Sequence, residues 1–224
     1  MPWVRANPVK TDYPAFLAIW EKRMSVTDEP FTILQLIGAP GGPSRLAESV
    51  LLIIDAQREY VDGKLALPGI TESLAAGGRL LARARALGAP VVHVLHRGAG
   101  PIFNPQTPAY QPAEPLLPQS GEAVVEKTQA NAFAGTGLQE VLAATGRKNL
   151  IVIGYMTHNC ISSTVRAATE RGFRSTVVAA ASGTRALPDG RGGVLSAELL
   201  HAASLIGLSD TQAVIVQAAE DIPD

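Results

Sequence analysis

The sequence predicts an α/β fold, a doubly wound and mostly parallel six-stranded sheet with helices on both faces. Three observations carry the prediction. Val50–Ile54 and Leu150–Ile153 are unbroken runs of branched apolar residues, as expected for parallel strands covered on both sides. Stretches with apolar residues at helical spacing lie between such runs, so strand and helix alternate along the chain. The composition, 46% hydrophobic and 17% charged over 224 residues, supplies enough apolar side chains for the large core of one α/β domain.

Residues 1–30 read as an N-terminal arm or extension. Pro2, Pro8, Pro14 and Pro30 punctuate them, and only Ala15–Met24 suits a short helix. Met24 is an alternative start, so residues 1–23 are either an arm or no part of the native product. Residues 31–224 read as a single domain. Phe31–Ile37 is expected to be a short edge strand or arm, followed by a glycine- and proline-rich loop. Val50–Ile54 is the first core strand and ends at Asp55. Glu72–Leu87 is a helix with Leu74, Leu80, Leu81, Ala84 and Leu87 on or near one face, stopped by Gly88. Val91–Leu95 is the second strand and ends at His96. Arg97–Gly121 carries six prolines and is too long for an ordinary connection. Such a segment is a lid, an oligomer contact or an insert. Ala123–Glu126 is the third strand, ending at Lys127, and Leu138–Ala144 a short helix closed by Gly146. Asn149–Ile153 is the fourth strand and Ser162–Arg171 lies in its helix. Thr176–Ala181 is the fifth strand, Val194–Leu208 a helix, and Ala213–Val216 the sixth strand. Right-handed crossovers place the helices on both faces.

Nineteen basic and 20 acidic residues give a formal net charge of −1, with no basic stripe. Nucleic acid is therefore not an expected partner. The single cysteine excludes an internal disulfide framework and any CxxC metal site, and it suits a reducing compartment. No apolar run approaches the roughly 18 residues of a membrane helix. Asn7–Asp12 is polar where a signal peptide would be apolar. The expected location is the cytoplasm, with no membrane partner.

Ligands of doubly wound sheets bind beyond the carboxyl ends of the strands, at the switch point. Asp55, Lys127 and Cys160 fall at that edge, past the first, third and fourth strands. Cys160 lies near a helix N-terminus, where free N–H groups and the helix dipole are expected to favour a thiolate. A carboxylate can take the thiol proton and return it to a leaving amine, while a cation holds the anion. Backbone N–H groups of the Gly154–Cys160 turn can form an oxyanion hole. His93 and His96 are three apart on a strand and face opposite sides, so they cannot chelate one metal. His96, at the strand end, is placed to touch substrate. His158 lines the pocket or bonds the loop, and a His158–Cys160 dyad is the rival mechanism. His201 reads as structural. Gly135-Thr136-Gly137 lacks the third glycine of a dinucleotide fingerprint and reads as a turn.

Three motifs together carry a family resemblance. They are Leu51-Leu52-Ile53-Ile54-Asp55-Ala56-Gln57 with Glu59-Tyr60, then Lys127 with Asn131-Ala132-Phe133, and finally Gly154-Tyr155-Met156-Thr157-His158-Asn159-Cys160. From Ser49 to about Val216 the chain resembles the isochorismatase-like cysteine hydrolases, which include nicotinamidases, carbamoylsarcosine amidohydrolases and streptothricin hydrolases. The resemblance implies a catalytic triad of Asp55, Lys127 and Cys160. It also implies a non-proline cis peptide between Tyr155 and Met156, with the amides of Met156 and Cys160 as the oxyanion hole. Tyr60, His96, Phe133, Tyr155 and His158 are the candidate pocket wall. The metal-binding Asp-x-His element of the nicotinamidases is absent, since Asp62 is followed by Gly63 and Lys64, and Val178–Ala181 stands where the family often carries an aspartate. The expected enzyme is thus a hydrolase of a C–N bond in a small amide or carbamoyl compound, without metal or cofactor, and homo-oligomeric as a dimer or tetramer. The alternatives are a vinyl-ether hydrolase using Asp55 and a non-catalytic protein that keeps the fold.

Overall fold

The computed structural model describes residues 30–224, so the expected arm, the helix at 15–24 and the start at Met24 lie outside the described residues. The segment around Ile33 is not a strand. Thr32 Oγ1 accepts from the Gln35 N–H, Gln35 Oε1 accepts from the Thr32 N–H, and this capping box starts a short helix, α1 (Ile33–Leu36).

The strands in chain order are β1 (Ser49–Ile54), β2 (Val91–His96), β3 (Ala123–Lys127), β4 (Asn149–Tyr155), β5 (Arg174–Gly183), β6 (Leu187–Pro188), β7 (Val194–Leu195) and β8 (Ala213–Val216). Six of them form one sheet in the order β3-β2-β1-β4-β5-β8, and every pairing in it is parallel. The order reverses between β1 and β4, which makes that crevice the switch point. β6 and β7 form a separate antiparallel pair. Val194, expected in the last helix, therefore lies in β7. That helix starts later, where the Ser196 side chain accepts from the Leu199 N–H as an N-cap.

The helices are α2 (Ile70–Ala86), α3 (Leu138–Ala144), α4 (Ser162–Glu170) and α5 (Ala197–Ser209). Alternation along the strands divides the core in two. Leu51, Ile53, Ile151 and Ile153 face Leu74, Leu80, Leu81 and Ala84 of α2. Val50, Leu52, Ile54, Leu150 and Val152 face Leu138 and Leu142 of α3, Val165 and Ala168 of α4, and Leu205 and Leu208 of α5. Leu87, expected on the buried face of α2, is its C-cap and half exposed. The proline-rich segment 97–121 has one short 3-10 turn, Pro108–Tyr110, and otherwise irregular backbone. It packs over the sheet end, burying Phe103, Tyr110, Ala113 and Leu116.

Candidate active site

β1 ends at Ile54, and Asp55 follows with φ at 52°, in the left-handed region that aspartate tolerates better than most residues. Its N–H still donates to the Val94 carbonyl at 2.8 Å, which ties the turn to β2. Lys127 is the last residue of β3 and pairs with His96 of β2. β4 reaches Tyr155, a non-proline cis peptide joins it to Met156, and a π-helical turn, Thr157–Ile161, leads into α4. Cys160 sits in that turn.

Gly154 makes this approach possible. Its φ is 118°, and a Cβ there would lie 2.0 Å from the Ile54 carbonyl oxygen, immediately before Asp55. Gly154→Ala is expected to cost about 3 kcal/mol or more. A denaturant midpoint within error of the parent would show that β1 and β4 can separate without loss.

The three side chains meet in the closed interior: Asp55 is 0% exposed, Lys127 1% and Cys160 3%. Lys127 Nζ stands 2.7 Å from Asp55 Oδ2, 2.9 Å from His96 Nδ1 and 3.3 Å from Cys160 Sγ. An ammonium has three N–H groups and no acceptor, so three neighbours saturate it. Asp55 accepts no hydrogen bond of regular geometry, and its Oδ2 is held by the ion contact with Lys127. Donor atoms of Asp55, His96 and Cys160 lie within 4.8 Å of one another, a set that would suit a soft divalent ion. The Lys127 ammonium already stands against all three.

Burial pushes the Cys160 thiol up to about 12, and the neighbouring Asp55 charge pushes the same way, while Lys127 pulls it down. Burial and the carboxylate thus work against the expected thiolate, and the Lys127 ammonium works for it. Burial also raises Asp55, and Lys127 opposes that. Ammonium, carboxylate and thiol together carry no net charge, the arrangement that burial favours.

The other candidates are distributed around this centre. His96 is half-buried, and burial together with Lys127 lowers it to about 4. Tyr60 is buried with its ring 5.5 Å from that of Tyr155. Tyr155 donates its hydroxyl to Ser73 Oγ at 2.9 Å, so it supports the turn from beneath. His158 Nδ1 lies 2.5 Å from Thr184 Oγ1, and no hydrogen bond joins it to Cys160 among the described residues. Phe133 stacks against Phe173 at 6.2 Å, lies under the Arg171 guanidinium, and belongs to the same core cluster as Cys160. His201 Nδ1 is 3.3 Å from Thr157 Oγ1 and braces the cysteine turn. His93, on the other face of β2, contacts Glu122 at 2.9 Å.

Three residues assigned no role from sequence also shape the site. Gln57 is fully buried, accepts from the His96 N–H at 2.8 Å and donates to the carbonyls of His96 and Tyr110. Phe103 packs its ring 5.2 Å from Tyr60 and 5.0 Å from His96. Its N–H donates to the buried Glu59 carboxylate. Arg185 follows Thr184 past β5; burial raises Tyr60 well above its ordinary value, which the Arg185 guanidinium opposes, and burial lowers His158, with Arg185 acting the same way. Its Nε is buried without a partner. Gln57 was visible in the first motif and Arg185 as a cation past a strand end, but nothing in the sequence marks Phe103. Cavities of about 520, 420 and 610 Å³ lie against α1, α5 and β8, beside Arg97 and Asn104, and beside Ser73 and Thr184, and Asp55, Lys127 and Cys160 line none of them.

Residues 49–220 match the family model described as the isochorismatase domain. The chain belongs to the isochorismatase family. The secreted isochorismatase effector Isc1 of Verticillium dahliae is 37% identical over 187 residues, covering 83% of this chain and 96% of that protein. The maleamate amidohydrolase of Pseudomonas putida is 31% identical over 153 residues, covering 60% of this chain and 72% of its own. The solved structure of an isochorismatase from Pseudomonas putida superposes with a TM-score of 0.82 at 41% identity, covering 86% of this chain and 99% of that one. As an isochorismatase-family hydrolase, the chain has the expected α/β architecture. No helix among the described residues is long and apolar enough to cross a membrane.

Proposed function

We propose that this family member is a metal-independent cysteine hydrolase that cleaves a C–N bond of a small amide or carbamoyl compound. The single ammonium that touches both a buried carboxylate and the only thiol carries the reading. Sulfur attacks the carbonyl carbon as its proton passes to Asp55. The N–H groups of Met156 and Cys160 receive the developing oxyanion. The intermediate collapses to a thioester, and the leaving nitrogen takes the proton from Asp55. Water then attacks the thioester, giving its proton to Asp55, and the proton returns to sulfur as the acid leaves. Lys127 keeps the cluster neutral throughout. The amidohydrolase among the relatives supports amide chemistry. Arg185, with an unpartnered Nε, supports a substrate carrying a negative group beside the scissile bond. A reducing compartment such as the cytoplasm suits a nucleophile that must stay a thiol.

The partner we propose beyond the small-molecule substrate is a second copy of the chain, in a dimer or tetramer. α5 is apolar on nearly all sides, yet Leu199 and Ile206 are 61% and 69% exposed. A helix of that composition is normally covered.

Incubation with a panel of small amides and carbamoyl compounds, read by intact mass, should give an acyl adduct confined to Cys160. A panel without adduct or hydrolysis, alongside cleavage of an enol ether, would replace this reading by the vinyl-ether one. Prolonged dialysis against chelator should leave the rate unchanged. A loss restored by a divalent ion would mean that the Asp55–His96–Cys160 donor set takes metal after all.

A further inference from the structure

Lys127 has three N–H groups, and the third is spent on His96 rather than on either partner in the proton exchange. An ammonium can only donate, so His96 Nδ1 must carry a lone pair. In a neutral imidazole that leaves the proton on Nε2. The ring is fixed in several ways at once. Gln57 grips the His96 backbone from both its N–H and its carbonyl. Phe103 packs against the ring at a tilt, with centroids 5.0 Å apart. The strand register sets His96 directly opposite Lys127.

We infer that His96 is a fixed-tautomer positioning residue that holds the Lys127 ammonium between Asp55 and Cys160 and presents Nε2–H as a hydrogen-bond donor to substrate. The substrate part of this inference rests on the amide reading above, and the positioning part does not. The remaining Nε2–H suits an acceptor atom, a carbonyl or carboxylate oxygen. It does not suit a protonated amine. A charged imidazolium is disfavoured, because it would set its own Nδ1–H against the N–H groups of an ammonium 2.9 Å away. The ring lowered to about 4 agrees with this.

Two substrate-free measurements test it. Nitrogen–proton correlation spectra of the full chain should give His96 as the Nε2–H tautomer, unchanged from about pH 8 to about pH 5.5, where an ordinary histidine would titrate. The second measurement follows alkylation of Cys160 by iodoacetamide against pH. His96→Leu removes the acceptor, frees the ammonium and should raise the midpoint by about one unit, since a displaced cation favours the thiolate less. His96→Asn places an amide oxygen where Nδ1 stood and should restore much of the parent profile. An Nδ1–H tautomer, a ring that titrates normally, or equal profiles for Leu and Asn would overturn the inference. A protein that passes both measurements yet acylates with no amide would retain the positioning role and refute the amide reading instead.

Discussion

Cys160→Ala should abolish amide hydrolysis, with a loss on the order of a thousandfold or more, while the protein stays folded. The size follows from the role. Without sulfur there is no thioester, and Asp55 and Lys127 are already engaged with each other as an ion pair. The structural effect should be small by comparison. Cys160 sits among Ile54, Val165 and Ala168 as a small apolar side chain, and truncating it removes one buried atom, for about 1 kcal/mol. The check is turnover on whichever amide the screen identifies, beside a thermal melt of the same preparation. A variant that melts like the parent and keeps more than a few per cent of the rate ends the acyl-enzyme mechanism.

Asp55→Asn should separate the two things that the carboxylate does. Turnover should fall by about a thousandfold, because the proton has nowhere to go on attack and none is delivered to the leaving nitrogen. Alkylation of Cys160 should nevertheless become easier. Of the neighbours acting on the thiol, Asp55 raises it by its charge, and Lys127 lowers it. Deleting the negative charge leaves burial opposed by Lys127 alone, so the midpoint of the alkylation profile moves to lower pH. Lys127→Met should move it the other way, above the parent. A shift of Asp55→Asn toward higher pH, or three coincident profiles, would show that the thiol is not coupled to this pair.

The positions of Asp55 and Cys160 were readable because each lies past an unbroken apolar run, β1 or β4, that suits only a buried strand, and that of Lys127 because it ends the short strand β3 at the sheet margin. Once strands β1, β3 and β4 are parallel neighbours or near neighbours, their ends share an edge. The balance at the thiol was less accessible. A helix start after a strand argues for an anion, yet Cys160 is 3% exposed and faces Asp55, and burial depth has no signature in a short segment. Gly154 looked like an ordinary turn residue, whereas its necessity comes from the Ile54 carbonyl across the sheet. The strand expected near Ile33 became a helix through Thr32 and Gln35, a local polar pairing that an apolar count ignores. Phe103 could not be foreseen for a different reason. Its place is set by the Glu59 carboxylate and by the turn from Gly98, whose N–H donates to the Phe103 carbonyl.

The segment 97–121 gives the protein two kinds of inheritance. The side chains proposed to handle the proton stand at or just past the strand ends, where any shift disturbs two cores. The wall facing His96 is supplied by a segment without regular structure, anchored at separate points through Gln57, Glu59 and the Gly98 turn. Insertions, deletions or exchanges between those anchors can redraw the wall while leaving the chemistry intact. Divergence of substrate preference within such a lineage would then be recorded in this stretch and around Arg185. The strand ends would change little over the same time.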